Sequence, residues 1–366
     1  MRILYLCNYY HRAMIFRDAM DQLENRGNFV LAFNSAEQGD VIDTKYEKIM
    51  DDKVIHVECY SHKDRYIYFW KQHKIYISLN KHIKVDEFDI VHSHTLFNGG
   101  WAAMKLNKRF GIPFVVSVRN TDMNDYLKLP IFIPIAKKIA RKAKEIVFLS
   151  ETYRDMFLEK CFSNAEKELI KEKCHIIYNG LESFWLENKG QPKERVHMPL
   201  RLICVGKIDK NKNMEKVLEA AKLLISNGVE TELTIIGQII DPDIKAKLEK
   251  DSIVKMIPFL KKEELINYYR KADIFVMPSH YESFGRVYAE AMTQGLPVVY
   301  TRGQGFDGIF SEGTVGYSVN DNDASEIANR INDIIKNYVE ISRNCLEGSD
   351  LFDWRTIAEE LETIYK

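Results

Sequence analysis

The stretch ESFGRVYAEAMTQGLPVV, Glu282–Val299, sets two glutamates eight positions apart, Glu282 and Glu290, with Gly285 between them. It follows the apolar run IFVMPS and leads through QGLP into PVVYT. That order reads as strand, loop, short buried helix, strand, the repeating step of a parallel sheet covered on both faces. A glycine at the loop–helix junction lets a ligand approach the backbone, and the amides of 284–287 point out of the helix mouth towards an anion. Glu290 sits one to two turns into the helix among apolar neighbours, and a buried carboxylate requires donors. Either a nearby Arg or Lys supplies them, or the two hydroxyls of a ribose do. Glu282 is either an exposed loop acid or a group that reaches a sugar beyond the phosphates.

Outward from this stretch the same step repeats. In the first half, RILYLC, FVLAF, DIVHSH, FVVSV, EIVFLS and HIIYN are apolar runs separated by helical segments, one of them over 131–143. Residues 35–85, rich in Tyr, His and Lys, show no clear elements. The polar segment LENKGQPKERVHMP, 186–199, carries Gly and two Pro and is expected to be a linker. After it the alternation restarts with LRLICVG, ELTIIG, VKMIPFL, IFVMPS and PVVYT, with helices expected near 243–250, 262–271 and 287–294. The pattern predicts an α/β chain of two doubly wound, Rossmann-like domains. Their expected limits are 1–185 and 200–350, with a C-terminal helix, 351–366, crossing back to the first domain. Ligands of such sheets bind at the carboxyl ends of the strands, so two facing domains would leave a cleft there.

Bulk properties narrow the function classes. The 366 residues are too many for one ordinary core, and 46% hydrophobic with 29% charged residues is a globular composition. A net charge of −1 gives no argument for nucleic-acid binding. Residues 1–186 hold 28 basic against 24 acidic side chains, and 187–366 hold 24 against 29, so the halves face different surroundings. The N-terminal run reads as a first strand rather than an export signal, and no stretch is long enough to span a bilayer. The six cysteines form no C-x-x-C pair, which together with the absent export signal predicts reduced thiols in the cytoplasm.

A second constellation lies in VGKIDKNKNMEKV. Lys207, Lys210 and Lys212 gather between a strand ending at Gly206 and a helix beginning near Asn213. Cations are disfavoured at a helix N-terminus unless an anion joins them there. The alternative is a solvated lysine loop capped by Asn211 or Asn213.

Taken together, PSHYESFGRVYAEAMTQGLPVV, VGKIDKNKN, IIYNGLE and ADIFVMPS resemble the E-x7-E region and donor-phosphate segments of retaining two-domain (GT-B) glycosyltransferases, most like glycosyltransferase family 4. FDWRTIAEELETIY is similar to that family's last helix. The likeness is dense over 174–300 and weak over 35–85. It implies that Lys207 and Lys212 bind a donor diphosphate, with Gly206 letting the backbone pass close and the segment Ser283, Phe284, Gly285, Arg286 and Val287 assisting. It implies that Glu290 holds the ribose and Glu282 the transferred sugar, so that Glu282, Lys207 and Lys212 form the catalytic set. Asn8, Tyr9, Tyr10, His11, His94, Arg119 and Asp122 would border the acceptor side. Four departures stand out. Lys207 replaces an arginine, NYYHR lacks the usual glycine pair, Arg119 stands where relatives carry a histidine, and QGFDGIF lacks the glutamate of the common G-x-x-E. An arginine cannot serve as a base, but it can bind an anion.

His92 and His94 share a strand face but have no third ligand nearby. Asp241 and Asp243, and Asp321 and Asp323, are expected to start helices rather than bind metal. No cofactor or metal is expected. The helix within 131–145 pairs an apolar face with five cations, as an ordinary surface helix does or as a peripheral contact with an anionic membrane would. The resulting expectation is a metal-independent retaining hexosyl- or N-acetylhexosaminyltransferase, located in the cytoplasm or at the inner membrane face. It would use a nucleotide sugar, a UDP-sugar by preference with a GDP-sugar as the other choice, and a glycan or lipid-linked acceptor. A sugar-nucleotide 2-epimerase and a non-catalytic nucleotide- or glycan-binding partner are the alternatives.

Overall fold

The computed structural model of the chain describes residues 1–8, 10, 15–42 and 50–366. It divides into two compact units, Met1–Gly180 with Trp354–Lys366, and Leu181–Asp353.

Unit 1 is built on β1 (Arg2–Cys7), β2 (Phe29–Glu37), β3 (Val54–Tyr60), β4 (Ile90–Ser93), β5 (Phe114–Ser117), β6 (Glu145–Phe148) and β7 (Cys174–Ile176). They lie in the order β3-β2-β1-β4-β5-β6-β7, each pair parallel. Parallel strands with both faces covered need apolar side chains on both sides, which is why the runs in the sequence are unbroken. In β1, Leu4 and Leu6 enter one core. Ile3, Tyr5 and Cys7 enter the other, which the C-terminal helix Trp354–Tyr365 completes with Ile357, Ala358, Leu361 and Ile364. That i, i+3, i+4 spacing makes one apolar stripe. At about 1.5–3 kcal/mol for each large side chain removed from water, the stripe holds the helix to this unit.

Unit 2 contains β8 (Leu200–Val205), β9 (Thr231–Ile236), β10 (Val254–Ile257), β11 (Ile274–Val276), β12 (Val298–Thr301) and β13 (Gly316–Val319). Their order is β10-β9-β8-β11-β12-β13, again all parallel. Helices occupy Met214–Ser226, Pro242–Leu248, Lys262–Lys271, Arg286–Met292 and Ala324–Lys336. Asp241 caps the second through the amides of Asp243 and Ile244, and Asp323 caps the last through Glu326 N. Asp321 instead bonds His280.

The segment expected as a linker is bound to unit 2. Gly190 donates its amide to Thr293 O, Asn188 O accepts from Arg270 and Gln294, and Lys189 bonds Leu346 O and Asp350. Its polarity serves these bonds, and the division between the units falls at Gly180 and at Asp353.

Residues 35–85 were opaque for a physical reason. The helix Tyr68–His82 buries Tyr68, Ile75 and Leu79 but leaves Phe69, Trp70 and Ile77 exposed, so its apolar residues make no single stripe.

Candidate active site

In each sheet the strand order reverses beside the first strand, at β1/β4 and at β8/β11. Doubly wound sheets bind ligands beyond the carboxyl ends of the strands at such a point. In unit 2 that place holds the loop after β8, with Gly206 to Asn213, and the loop after β11, with Met277 to Gly285.

These loops are joined closely. Asn211 accepts from the amides of His280 (through O, 2.9 Å) and Tyr281 (through Oδ1, 3.0 Å), and its Nδ2 donates to Tyr281 O at 3.0 Å. Asn213 takes the left-handed conformation, φ 55°, and its Nδ2 donates to Pro278 O and Asp321 O. Asp209 accepts from Lys212 N at 3.0 Å. So the lysine loop is capped by Asp209, and the two asparagines hold the neighbouring loop.

Lys212 Nζ lies 2.6 Å from Glu282 Oε2, with both side chains mostly buried. Glu282 Oε1 accepts from Ser283 N at 3.2 Å. The Glu282 backbone is held on both sides, its amide donating to Gln304 Oε1 and its carbonyl accepting from Gly305 N, each at 3.0 Å. Sequence reasoning missed Gln304 and Gly305. A Cβ on Gly305 would fall 1.8 Å from Ser283 O, so only glycine fits. Gly206 is likewise approached closely, since a Cβ on Gly237 would lie 1.7 Å from its carbonyl oxygen. Lys207 is exposed, and among the described residues no acid lies within ion-pair distance of it.

Gly285, φ 76°, precedes the helix Arg286–Met292, where any other residue would meet the Tyr288 ring at 2.3 Å. Phe284 packs on Phe306 and Phe352. Val287 is half-buried. Glu290 keeps partial contact with solvent, yet burial pushes its carboxyl up to about 7, against the opposing pull of Arg286. Lys262 is engaged by Glu182 at 2.5 Å, and Glu182 itself disfavours a second charge on Glu290. No described residue donates a hydrogen bond to the Glu290 carboxylate.

Tyr9 and His11 lie outside the described residues. Asn8 is buried and donates to Ser35 Oγ at 2.9 Å, while Tyr10 is buried against Phe16. Asp122 is completely buried, and its carboxylate accepts from the amides of Leu96, Phe97 and Arg119 at 2.9–3.1 Å. It is a brace tying the loop after β5 to the loop after β4, not an exposed acceptor contact. Burial nonetheless raises its carboxyl to about 6. Arg119 donates to Asn179 Oδ1 at 3.0 Å and to His94 O at 3.4 Å, and burial draws its guanidinium down to about 10. His94 is buried rather than open, between the rings of Tyr5 and Phe16 and stacked on His92. It borders a cavity of about 30 Å³ with Arg119, Asn179 and Trp354. His92 bonds Tyr365 OH at 2.6 Å and Ser117 Oγ at 2.9 Å, an arrangement for packing.

Two doubly wound parallel-sheet units, of seven and six strands, are the architecture of the GT-B glycosyltransferases. A family model described as Glycosyltransferase Family 4 matches residues 16–183, and one described as Glycosyl transferases group 1 matches 187–349. The chain belongs to this glycosyltransferase family. It is 28% identical over 244 residues to the capsular polysaccharide biosynthesis glycosyltransferase CapM of Staphylococcus aureus, covering 61% of each chain. It is 26% identical over 265 residues to an uncharacterized 41.2 kDa protein in the cps region of Klebsiella pneumoniae, covering 69% of this chain and 71% of that one. Among solved structures, Alr3699/HepE of Anabaena in complex with UDP superposes with a TM-score of 0.72 at 17% identity, covering 99% of both chains.

Proposed function

We propose that the chain is a retaining transferase that moves a hexosyl or N-acetylhexosaminyl group from a UDP-sugar to a hydroxyl of a glycan or lipid-linked acceptor. The reaction would take place in the cytoplasm at the inner membrane face, in the assembly of a cell-surface polysaccharide. The observation that carries this reading is the Lys212–Glu282 pair at 2.6 Å, which joins the loops after β8 and β11; the exposed Lys207 stands on the first loop, and Glu290, undonated among the described residues, on the helix after the second. The capsular relative and the UDP-bound fold neighbour support it.

In this reading Lys207, a cation with no acid in ion-pair distance among the described residues, meets the diphosphate with the loop amides at 284–287. Lys212 holds Glu282 against the sugar and shares the leaving charge. Glu290 accepts from the two ribose hydroxyls. The departing diphosphate takes the acceptor proton, and bond breaking precedes attack on the same face. Preorganised positive charge at the leaving group supplies the electrostatic stabilisation, so transfer should survive a chelator.

The test is release of free nucleotide from UDP- and GDP-sugars. Slow hydrolysis by the wild type, lost in Glu282→Ala and unaffected by EDTA, is expected. Tight UDP binding with no turnover of any donor, even with acceptor mixtures, would show a binding module instead.

A further inference from the structure

The expectation of a membrane contact through 131–145 narrows to the start of that segment. The helix Ile133–Lys142 buries its apolar face, Ala136, Ile139 and Ala140, in the core of unit 1, and two of its cations, Lys137 and Arg141, pair with Glu166. Of that helix, the first turn still offers an apolar side chain, Ile135, which lines a groove.

The uncovered apolar surface lies beside it. Tyr66 is 81% exposed, Ile67 61%, Phe69 57%, Trp70 50%, Leu129 55% and Ile131 75%. Five of these, all but Trp70, line one groove of about 700 Å³. An apolar patch of this kind marks an interaction surface, and aromatic side chains suit the boundary between water and hydrocarbon. The two segments that form the patch are mostly basic, although Arg65 pairs with Glu37, Lys74 with Asp64, and Lys137 and Arg141 with Glu166. Residues 61–82 hold Lys63, Arg65, Lys71, Lys74 and Lys81 against Asp64, and residues 125–142 hold Lys128, Lys137, Lys138, Arg141 and Lys142 against Asp125. Lys63, Lys81, Lys138 and Lys142 are exposed, with no ion-pair partner among the described residues. At the inner side of the groove stands Lys71, 7% exposed. Its Nζ donates to Asn98 Oδ1 at 2.9 Å and lies over the Tyr60 ring, and no carboxylate of the described residues lies within ion-pair distance. Burial draws this amine down to about 8. An apolar rim, unpaired lysines on the segments that form it and a buried ammonium without an acid are together complementary to an anionic amphiphile.

We infer that residues 65–70 and 129–135 form an edge that seats on an anionic lipid bilayer, with the anionic head of one lipid turned into the groove towards Lys71 and its chain left along the aromatic rim. The inference deepens the membrane-side reading above and rests on it. It commits the contact to this edge and to a lipid carrying negative charge.

The test uses the full chain with vesicles of phosphatidylglycerol and phosphatidylcholine and with vesicles of phosphatidylcholine alone. The wild type should sediment with the first about tenfold more strongly than with the second and should be released by salt. Its tryptophan emission should shift to the blue on the anionic vesicles, and this shift should vanish in Trp70→Phe. Phe69→Ser with Ile131→Ser, both exposed positions, should reduce partition about tenfold without changing Tm. Lys63→Ser with Lys138→Ser should reduce only the preference for anionic vesicles. Equal binding to both vesicle types would overturn the inference. So would unchanged binding by the Phe69/Ile131 variant, or a concentration-dependent dimer that this variant abolishes while vesicles bind neither form. Donor hydrolysis measured on the same preparations reads the transfer reaction separately, and it should be equal in wild type and variants.

Discussion

Replacing Glu290 by Gln removes one charge from a place where burial resists it, and its consequences have opposite signs with and without ligand. The carboxyl stands at about 7 in the folded chain against 4.5 ordinarily. A carboxyl raised in this way lets the unfolded chain lose its proton first. Stability therefore falls as pH rises from 4.5 through 7, and the full cost persists above 7. That cost would be about 3 kcal/mol for a fully buried group. Glu290 retains some contact with water, so about 1–2 kcal/mol is the working figure. Without ligand at pH 8, Glu290→Gln should raise the Tm of the unit by about 2–8 °C, and the gain should shrink towards pH 4.5. With UDP the order reverses, because ribose hydroxyls bonded to a carboxylate are charge-assisted donors worth about 1.5–3 kcal/mol. The variant should bind UDP about ten- to a hundredfold more weakly. Wild-type affinity should also fall below pH 7 relative to the variant, since binding then requires the proton to leave. Thermal denaturation and calorimetric titration from pH 5 to 8 measure both effects. A variant destabilised at pH 8, or one whose UDP-induced shift equals that of the wild type, would refute the reasoning.

Lys212→Ala should lower donor turnover at least about a hundredfold, and the double variant with Glu282→Ala should be little worse than either single one, as a steady-state cycle of nucleotide release would show. Gly305→Ala forces a Cβ into Ser283 O, so donor hydrolysis should be lost while the far-UV circular dichroism of the fold is retained. Asp122→Ala leaves three buried amides without their acceptor and should cost unit 1 about 3 kcal/mol or more, read as a lower denaturation midpoint with UDP affinity unchanged.

Much of this protein was legible in its sequence, for local reasons. Unbroken apolar runs announced parallel strands, Asp241 and Asp323 announced helix starts, and Gly285 announced the turn into the helix Arg286–Met292. Each of these depends on neighbours within a turn or a strand, and the spacing of residues along the chain records such relations directly. The partners of the charged and polar groups were a different matter. Lys212 meets Glu282 across 70 positions because strand order sets β8 beside β11. His92 meets Tyr365 across 273 positions because the last helix completes a core begun by β1. Asp122 looked like a site acid and is a brace, and 186–199 looked like a linker and is a bound arm. Hydrogen-bond partners far apart in sequence decided both, and a local pattern carries no record of where those partners lie. Hydrophobic periodicity determined which segments would be strands and helices. Only the order of strands in each sheet decided which side chains stand together at its carboxyl edge.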